Sequence, residues 1–239
     1  MKELLYIAHR GHKTYAPENT IEAAWYALEN GATGLEIDLR ICGSGEIVLF
    51  HDKTLLRHFS KSRILTHTSF EKLKSFSFNN HPYKADDKVT ALTDFLEEFK
   101  GTVPVNLDVK TLGSNNRDLI NGLLKAVDDL NMQDQVWISA FNPVFMRQIK
   151  TARPALRTGF LFRNLSFIIR QIDILLDSDA WHPHHSLIND TFIKKARSKN
   201  KEIYTWTVND PAKLEILKKY EIEGIITDKL FLGSKTRRS

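Results

Sequence analysis

Short apolar runs of strand length alternate along this chain with longer runs whose apolar positions recur at helical spacing. That rhythm predicts a parallel sheet whose neighbouring strands are joined by crossover helices. Strand signals fall at residues 4–8, 35–40, 103–109, 136–139 and 203–208, with shorter ones at 157–162, 179–181 and 224–227. Helical runs follow at 92–100, 116–130, 143–151, 189–199 and 211–220. The first helix starts at Asn19 and Thr20, either of which can cap it, carries Glu22 in its first turn, and stops at Asn30-Gly31. A further extended run, 46–50, follows the second strand after a short connection containing Gly43-Ser44-Gly45. Parallel neighbours need a crossover of about a dozen residues, so this run is an antiparallel hairpin return. Setting it aside leaves eight strands, the number that closes a TIM (β/α)8 barrel. The expected architecture is α/β, a single barrel domain over 1–239, with an excursion after the second strand at about 53–88 where neither period is legible.

Composition narrows the class without naming a chemistry. A chain of 239 residues with 42% hydrophobic content can bury a barrel core, which excludes a disordered or fibrous protein. Lys and Arg number 34 against 29 Asp and Glu, a net +5 spread along the chain, so no basic stripe predicts a nucleic-acid partner. The basic end at 235–239 reads as a solvated terminus. Cys42, the one cysteine, excludes an internal disulfide. Met1-Lys2-Glu3 runs straight into a strand signal, without the apolar stretch and cleavage site of a secretory leader. The most apolar region, 160–176, contains Arg163, Arg170 and Asp173 and is too short and too charged to span a bilayer. No stable membrane insertion and a cytoplasmic location are therefore expected.

Four motifs carry the candidate chemistry, each at or near a strand end: His9-Arg10-Gly11, Glu36-Ile37-Asp38, His51-Asp52 and Asp108-Val109-Lys110. Side chains alternate across a strand, so Glu36 and Asp38 share a face, as do Asp108 and Lys110. Leu35, Ile37, Leu39, Leu107 and Val109 take the opposite face, which in a barrel packs on helices. The charged faces then point inward. Three inward carboxylates are prohibitively costly unless a cation compensates them, and an all-oxygen set suits Mg²⁺ or Ca²⁺ better than Zn²⁺. The plainer alternative is a buried ion-pair network in which Arg10, Lys110 and the carboxylates neutralise one another. His9 and His51 are the proton-transfer candidates, because an unperturbed imidazole titrates near neutral pH. The hairpin return would bring His51 beside Glu36 and Asp38. Arg10 and Lys110 would add fixed positive charge next to the metal, which suits a phosphoryl group.

The chain resembles the glycerophosphodiester phosphodiesterase family. The likeness rests on those four motifs together with Glu18-Asn19-Thr20, Gly31-Ala32, Ser139-Ala140-Phe141, Trp206-Thr207-Val208-Asn209 and Gly224-Ile225-Ile226-Thr227-Asp228. It runs over essentially the whole chain in the family's order. The resemblance implies a TIM barrel, and a divalent metal at Glu36, Asp38 and Asp108, with Mg²⁺ favoured and Ca²⁺ the alternative. It also implies acid/base work by His9 and His51, phosphate contacts from Arg10 and Lys110, and a substrate-side role for Trp206. The expected reaction is hydrolysis of a small-molecule glycerophosphodiester to glycerol 3-phosphate and an alcohol. Three departures stand out: Asp108 where the family usually has Glu, a 42–45 turn without the usual acidic-Gly pair, and Glu223 where Asp is usual.

Other readings compete. The same residues could serve a lysophospholipid- or phosphoinositide-directed phosphodiesterase, with 160–176 as the lipid-facing edge; a barrel strand followed by a buried helix explains that region more simply. A non-catalytic metal or phosphate-binding barrel would need neither His9 nor His51. A glycosidase would be poorly served by Arg10 and Lys110 beside its carboxylates. Trp206 fits barrel packing and a ligand contact equally well. His182, His184 and His185 offer a second metal site, but without helical spacing or a partner carboxylate they read as a polar loop.

Overall fold

The computed structural model describes residues 3–79, 88–111, 113–164 and 176–230. Among the described residues nine strands form one sheet: β1 (Leu5–His9), β2 (Gly34–Ile41), β3 (Ile47–Leu49), β4 (Val105–Val109), β5 (Val136–Ala140), β6 (Thr158–Phe162), β7 (Ala180–Pro183), β8 (Glu202–Thr205) and β9 (Gly224–Thr227). β1 pairs in parallel with both β2 and β9, so eight parallel strands close into a TIM barrel. β3 lies outside the ring, antiparallel to β2, with Ile41 opposite Ile47 and Leu39 opposite Leu49. The hairpin return is thus where the short Gly-Ser-Gly connection puts it.

Alternation sorts the side chains into two cores. Leu35, Ile37, Leu39, Leu107 and Val109 pack outward with Phe95, Phe99 and Leu123 of the surrounding helices. Ile7, Trp137, Tyr204 and Ile226 fill the barrel interior. The helices begin where capping chemistry directs. Thr20 accepts from the Ala23 N–H to open Ile21–Glu29, Asn142 and Asp210 cap helices with proline in their first turn, and Asn189 accepts from the Phe192 N–H. Among the described residues no helix is long and apolar enough to cross a membrane. The segment from Leu165 to Ile172, read as a buried helix, lies outside the described residues.

The described part of the excursion has more order than its sequence shows. Helical turns at Leu56–Phe59, Leu65–His67 and Phe70–Lys74 pack Leu55, Phe59, Leu65 and Leu73 against Cys42, Val48 and Phe50 as a small second core. Each turn is too short to display a 3.6-residue period. The burial holds it instead.

His182 corrects the polar-loop reading of 182–185. It is the third residue of β7, fully buried inside the barrel, where it accepts a hydrogen bond from Trp137 Nε1–H at 3.2 Å. Its ring occupies the space a side chain on Gly159 would need: a Cβ there would come within 2.3 Å of His182 Nε2. Burial first, then the charge of Arg157, pushes the His182 pKa down to about 3 from 6.5. Below pH 6.5 the unfolded chain therefore takes up a proton that the folded state refuses until near pH 3, so stability falls as pH falls through that window. Between pH 7 and pH 5, His182 should account for about 2 kcal/mol of lost stability. Urea unfolding of wild type and His182→Gln at both pH values checks this; equal losses in the two proteins would exclude His182 as the source.

Candidate active site

The site is built on β2. With Leu35, Ile37 and Leu39 turned outward, Glu36 and Asp38 face the barrel interior, both buried. The sheet register pairs His9 with Glu36 and Asp38 with Asp108, so adjacent strands deliver their polar groups at matching levels. One oxygen from each of Glu36, Asp38 and Asp108 lies within 4.8 Å of the other two.

Cations and amides surround this cluster without neutralising it. Lys110 Nζ contacts Asp108 and lies 3.0 Å from Asp38 Oδ1, while Arg10 Nε lies 2.8 Å from Asp38 Oδ2. The Asn19 amide donates to Asp38 Oδ2 at 2.9 Å and accepts from the Asp38 N–H at 3.0 Å. Burial pushes Glu36 well above the usual carboxylate range, and the charges of Asp38 and Asp108 push it further. Burial also raises Asp108, against the pull of Lys110. Asp38 goes the other way, because Lys110 and Arg10 outweigh its burial. Ion pairing of the kind weighed from sequence is therefore present, yet two carboxyls still resist ionisation. Asp108 Oδ1, moreover, is a buried oxygen that accepts no hydrogen bond from any described residue. An oxygen-only donor set that is short of positive charge and has a vacant acceptor fits a hard divalent cation.

Two histidines flank the cluster, each backed by a carboxylate. His9 ends β1; its Nδ1 is 2.6 Å from Asp228 Oδ1 and its Nε2 is 4.0 Å from Glu36 Oε2. His51 follows β3, whose neighbour Phe50 donates its N–H to the Asp38 carbonyl at 2.9 Å, and His51 Nδ1 is 2.7 Å from Asp52 Oδ1. A carboxylate at Nδ1 favours the tautomer with the proton there and leaves Nε2 for other chemistry. Asp228 is fixed in turn by Lys13 and by the Asn209 amide at 2.7 Å. Asp52 is held by Arg57 at 2.6 and 3.0 Å, and although burial opposes ionisation, those bonds bring its pKa to about 2.

The loop after β1 carries backbone strain. Arg10 has φ 65° and Asn19 φ 61°, both in the left-handed region that non-glycine residues avoid. Arg10 is pinned there by donating its N–H to the Glu36 carbonyl at 2.8 Å and accepting from the Asn19 N–H at 3.0 Å. Gly11, at φ 80°, has no alternative, since a Cβ would sit 2.6 Å from the Ala23 backbone. Glu18 joins this loop to the excursion through Arg10 at 3.1 Å and Arg57 at 2.7 Å.

These parts open on a cavity of about 260 Å³ whose wall includes His9, Arg10, Glu36, His51, Asp108 and Lys110. Trp206, just past β8, lines the same space. A model of the glycerophosphoryl diester phosphodiesterase family matches residues 9–231. The chain belongs to that family. It is accordingly a phosphoric diester hydrolase. A glycerophosphodiester phosphodiesterase of Caldanaerobacter subterraneus subsp. tengcongensis is 28% identical, the match covering 95% of each chain. Two solved structures share the fold. A phosphodiesterase of Oleispira antarctica in complex with the product sn-glycerol-3-phosphate superposes with a TM-score of 0.87 at 22% identity, over 95% of this chain and 93% of that one. A glycerophosphodiester phosphodiesterase of Agrobacterium tumefaciens gives 0.82 at 19% identity, over 95% and 97%.

Within this member of the phosphodiesterase family, some residues at the site carried no assignment from sequence. Asp228 and Asn209 stood in quoted motifs, and their place just after β9 and β8 was the available signal. Arg40 had the signal of sharing the β2 face with Glu36 and Asp38. It donates to the His51 carbonyl at 2.6 Å and the Lys110 carbonyl at 3.0 Å, tying two strand ends together.

Proposed function

We propose that this chain hydrolyses glycerophosphodiesters to glycerol 3-phosphate and an alcohol. The observation that carries the reading is the pair of carboxylate-backed histidines lining one cavity with Glu36 and Asp108, two of the three clustered carboxylates. Glu36, Asp38 and Asp108 would hold a divalent ion, Mg²⁺ in first place and Ca²⁺ in second. When bound, the ion supplies positive charge to a phosphate oxygen and draws electron density from phosphorus. Arg10 and Lys110 donate to the remaining phosphate oxygens from the cavity wall. One histidine takes the proton of the attacking hydroxyl at Nε2 as the new P–O bond forms. The other gives a proton to the alkoxide as the old P–O bond breaks. The nucleophile is either water or the substrate's own glycerol hydroxyl, which would pass through a cyclic phosphate. Trp206 packs against the substrate beside the phosphate.

The test is release of glycerol 3-phosphate from a panel of glycerophosphodiesters, with and without a chelator. Turnover should vanish with chelator and return with added Mg²⁺. Water-soluble diesters should exceed lysophospholipids in micelles in kcat/KM. Chelator-insensitive turnover would remove the metal from the reading, and a preference for the long-chain lipid would favour the lipid-directed alternative.

A further inference from the structure

The outer wall of the cavity carries information about the alcohol half of the substrate, an inference that rests on the reaction proposed above. Phe141, just past β5, and Trp206 meet edge to face at 5.4 Å on that wall. An aromatic pair beside a phosphate site has the chemistry to receive a quaternary ammonium, which binds over ring faces. Here both rings already face cations of the protein. The Arg163 guanidinium lies 5.3 Å from the Trp206 centroid, and Lys110 Nζ lies 6.0 Å from the Phe141 centroid.

The two cations differ in their commitments. Lys110 is paired with Asp38 and Asp108. Arg163 follows β6 directly, is exposed, lines the cavity, and pairs with no carboxylate among the described residues. Trp206 beneath it is fixed by donating its Nε1–H to the His182 carbonyl at 2.8 Å. Among the described residues a second aromatic neighbour of Trp206 is His184, at 5.3 Å, and it brings no negative charge to the rim. Burial, His185 and then Arg163 itself keep that imidazole below its ordinary pKa.

In the reaction proposed above the phosphate and its glycerol, common to every substrate, would lie toward the carboxylate cluster, which places an exposed residue of the same cavity wall to meet the variable alcohol. We propose that Arg163 is a charge-selecting residue: it favours glycerophosphodiesters whose alcohol bears an anionic group, and disfavours those ending in an ammonium. A quaternary ammonium would have to displace Arg163 from Trp206 or sit beside it, while a phosphorylated polyol would gain a donor. Because Arg163 is exposed and screened by salt, the effect should be moderate, about five- to tenfold for each reversal of charge.

The experiment compares glycerophosphoinositol 4-phosphate with glycerophosphocholine on wild type, Arg163→Gln and Arg163→Glu, with glycerophosphoglycerol as the uncharged reference. Wild type should favour the anionic over the cationic substrate in kcat/KM. Arg163→Gln should bring the ratio toward one, and Arg163→Glu should invert it. Dissociation constants for the same compounds on His51→Ala, with and without Arg163→Glu, read the same ratio without turnover. A ratio that Arg163→Glu leaves unchanged overturns the inference. Failure of wild type to release glycerol 3-phosphate from any of the three overturns the proposed reaction instead, and the binding ratio still decides charge selection.

Discussion

Replacing either His9 or His51 by alanine is expected to lower kcat by about 10²-fold or more while leaving divalent-ion affinity nearly unchanged. Both imidazoles line the cavity, and each has its Nδ1 occupied by a carboxylate, so each presents Nε2 for proton transfer. Neither belongs to the oxygen cluster that would hold the ion. His9 lies at the level of Glu36 because β1 and β2 pair there. His51 arrives from the opposite direction along the antiparallel return. The two histidines thus come from separate elements, β1 and the chain just after β3. The measurement is kcat for both variants, with calorimetric titration of Mg²⁺ on the same proteins. Near-normal turnover in both would eliminate the two-histidine mechanism. Loss of ion binding in either would make that histidine a ligand.

The barrel was legible because its strands announce themselves by period and by length. β2 reads as apolar outward and charged inward residue by residue, and the Gly43-Ser44-Gly45 link is too short for anything but a hairpin return. Less was legible where long-range register does the work. His182 sits in a run with Pro183, His184 and His185 that looks polar by composition. Only its registration against Leu161 and the missing side chain of Gly159 put it inside the barrel. The excursion hid its small core because turns of three to five residues show no period. Asp228 stands 219 residues from His9, so nothing local reveals that one orients the other. Predicted strand ends also shifted by a residue or more, as at 203–208, where β8 stops at Thr205 and Trp206, in an isolated bridge with His184, lines the cavity.

Asp108 is expected to decide ion affinity. Asp108→Ala should leave the enzyme nearly inactive, down by about 10³-fold in kcat/KM, with Mg²⁺ binding weakened by about 10²-fold, whereas Asp108→Glu should stay within about tenfold of wild type. Asp is one methylene shorter than the Glu usual at this position, a difference of ~1.5 Å in reach. β4 cannot slide inward to compensate. It is paired with β2 along Val105–Val109 and with β5 on its other edge, and Leu107 and Val109 are locked into the outer core. The shorter carboxylate would therefore stop short of the ion; its Oδ1 is buried and accepts no hydrogen bond from a described residue, and its other oxygen is taken by Lys110. A water between Asp108 and the ion would close the gap. Mg²⁺ tolerates that arrangement well, because it keeps several waters and takes few protein ligands. Glutamate in the same place would reach the ion directly and displace that water, which is why it should retain activity. Removing the carboxylate would take away the acceptor that holds that water, as well as one of the two partners of Lys110, leaving Glu36 and Asp38 to hold the ion alone. Mg²⁺ titration of binding and of turnover on the three proteins separates these cases. An Asp108→Ala protein with unchanged ion affinity would take Asp108 out of the site.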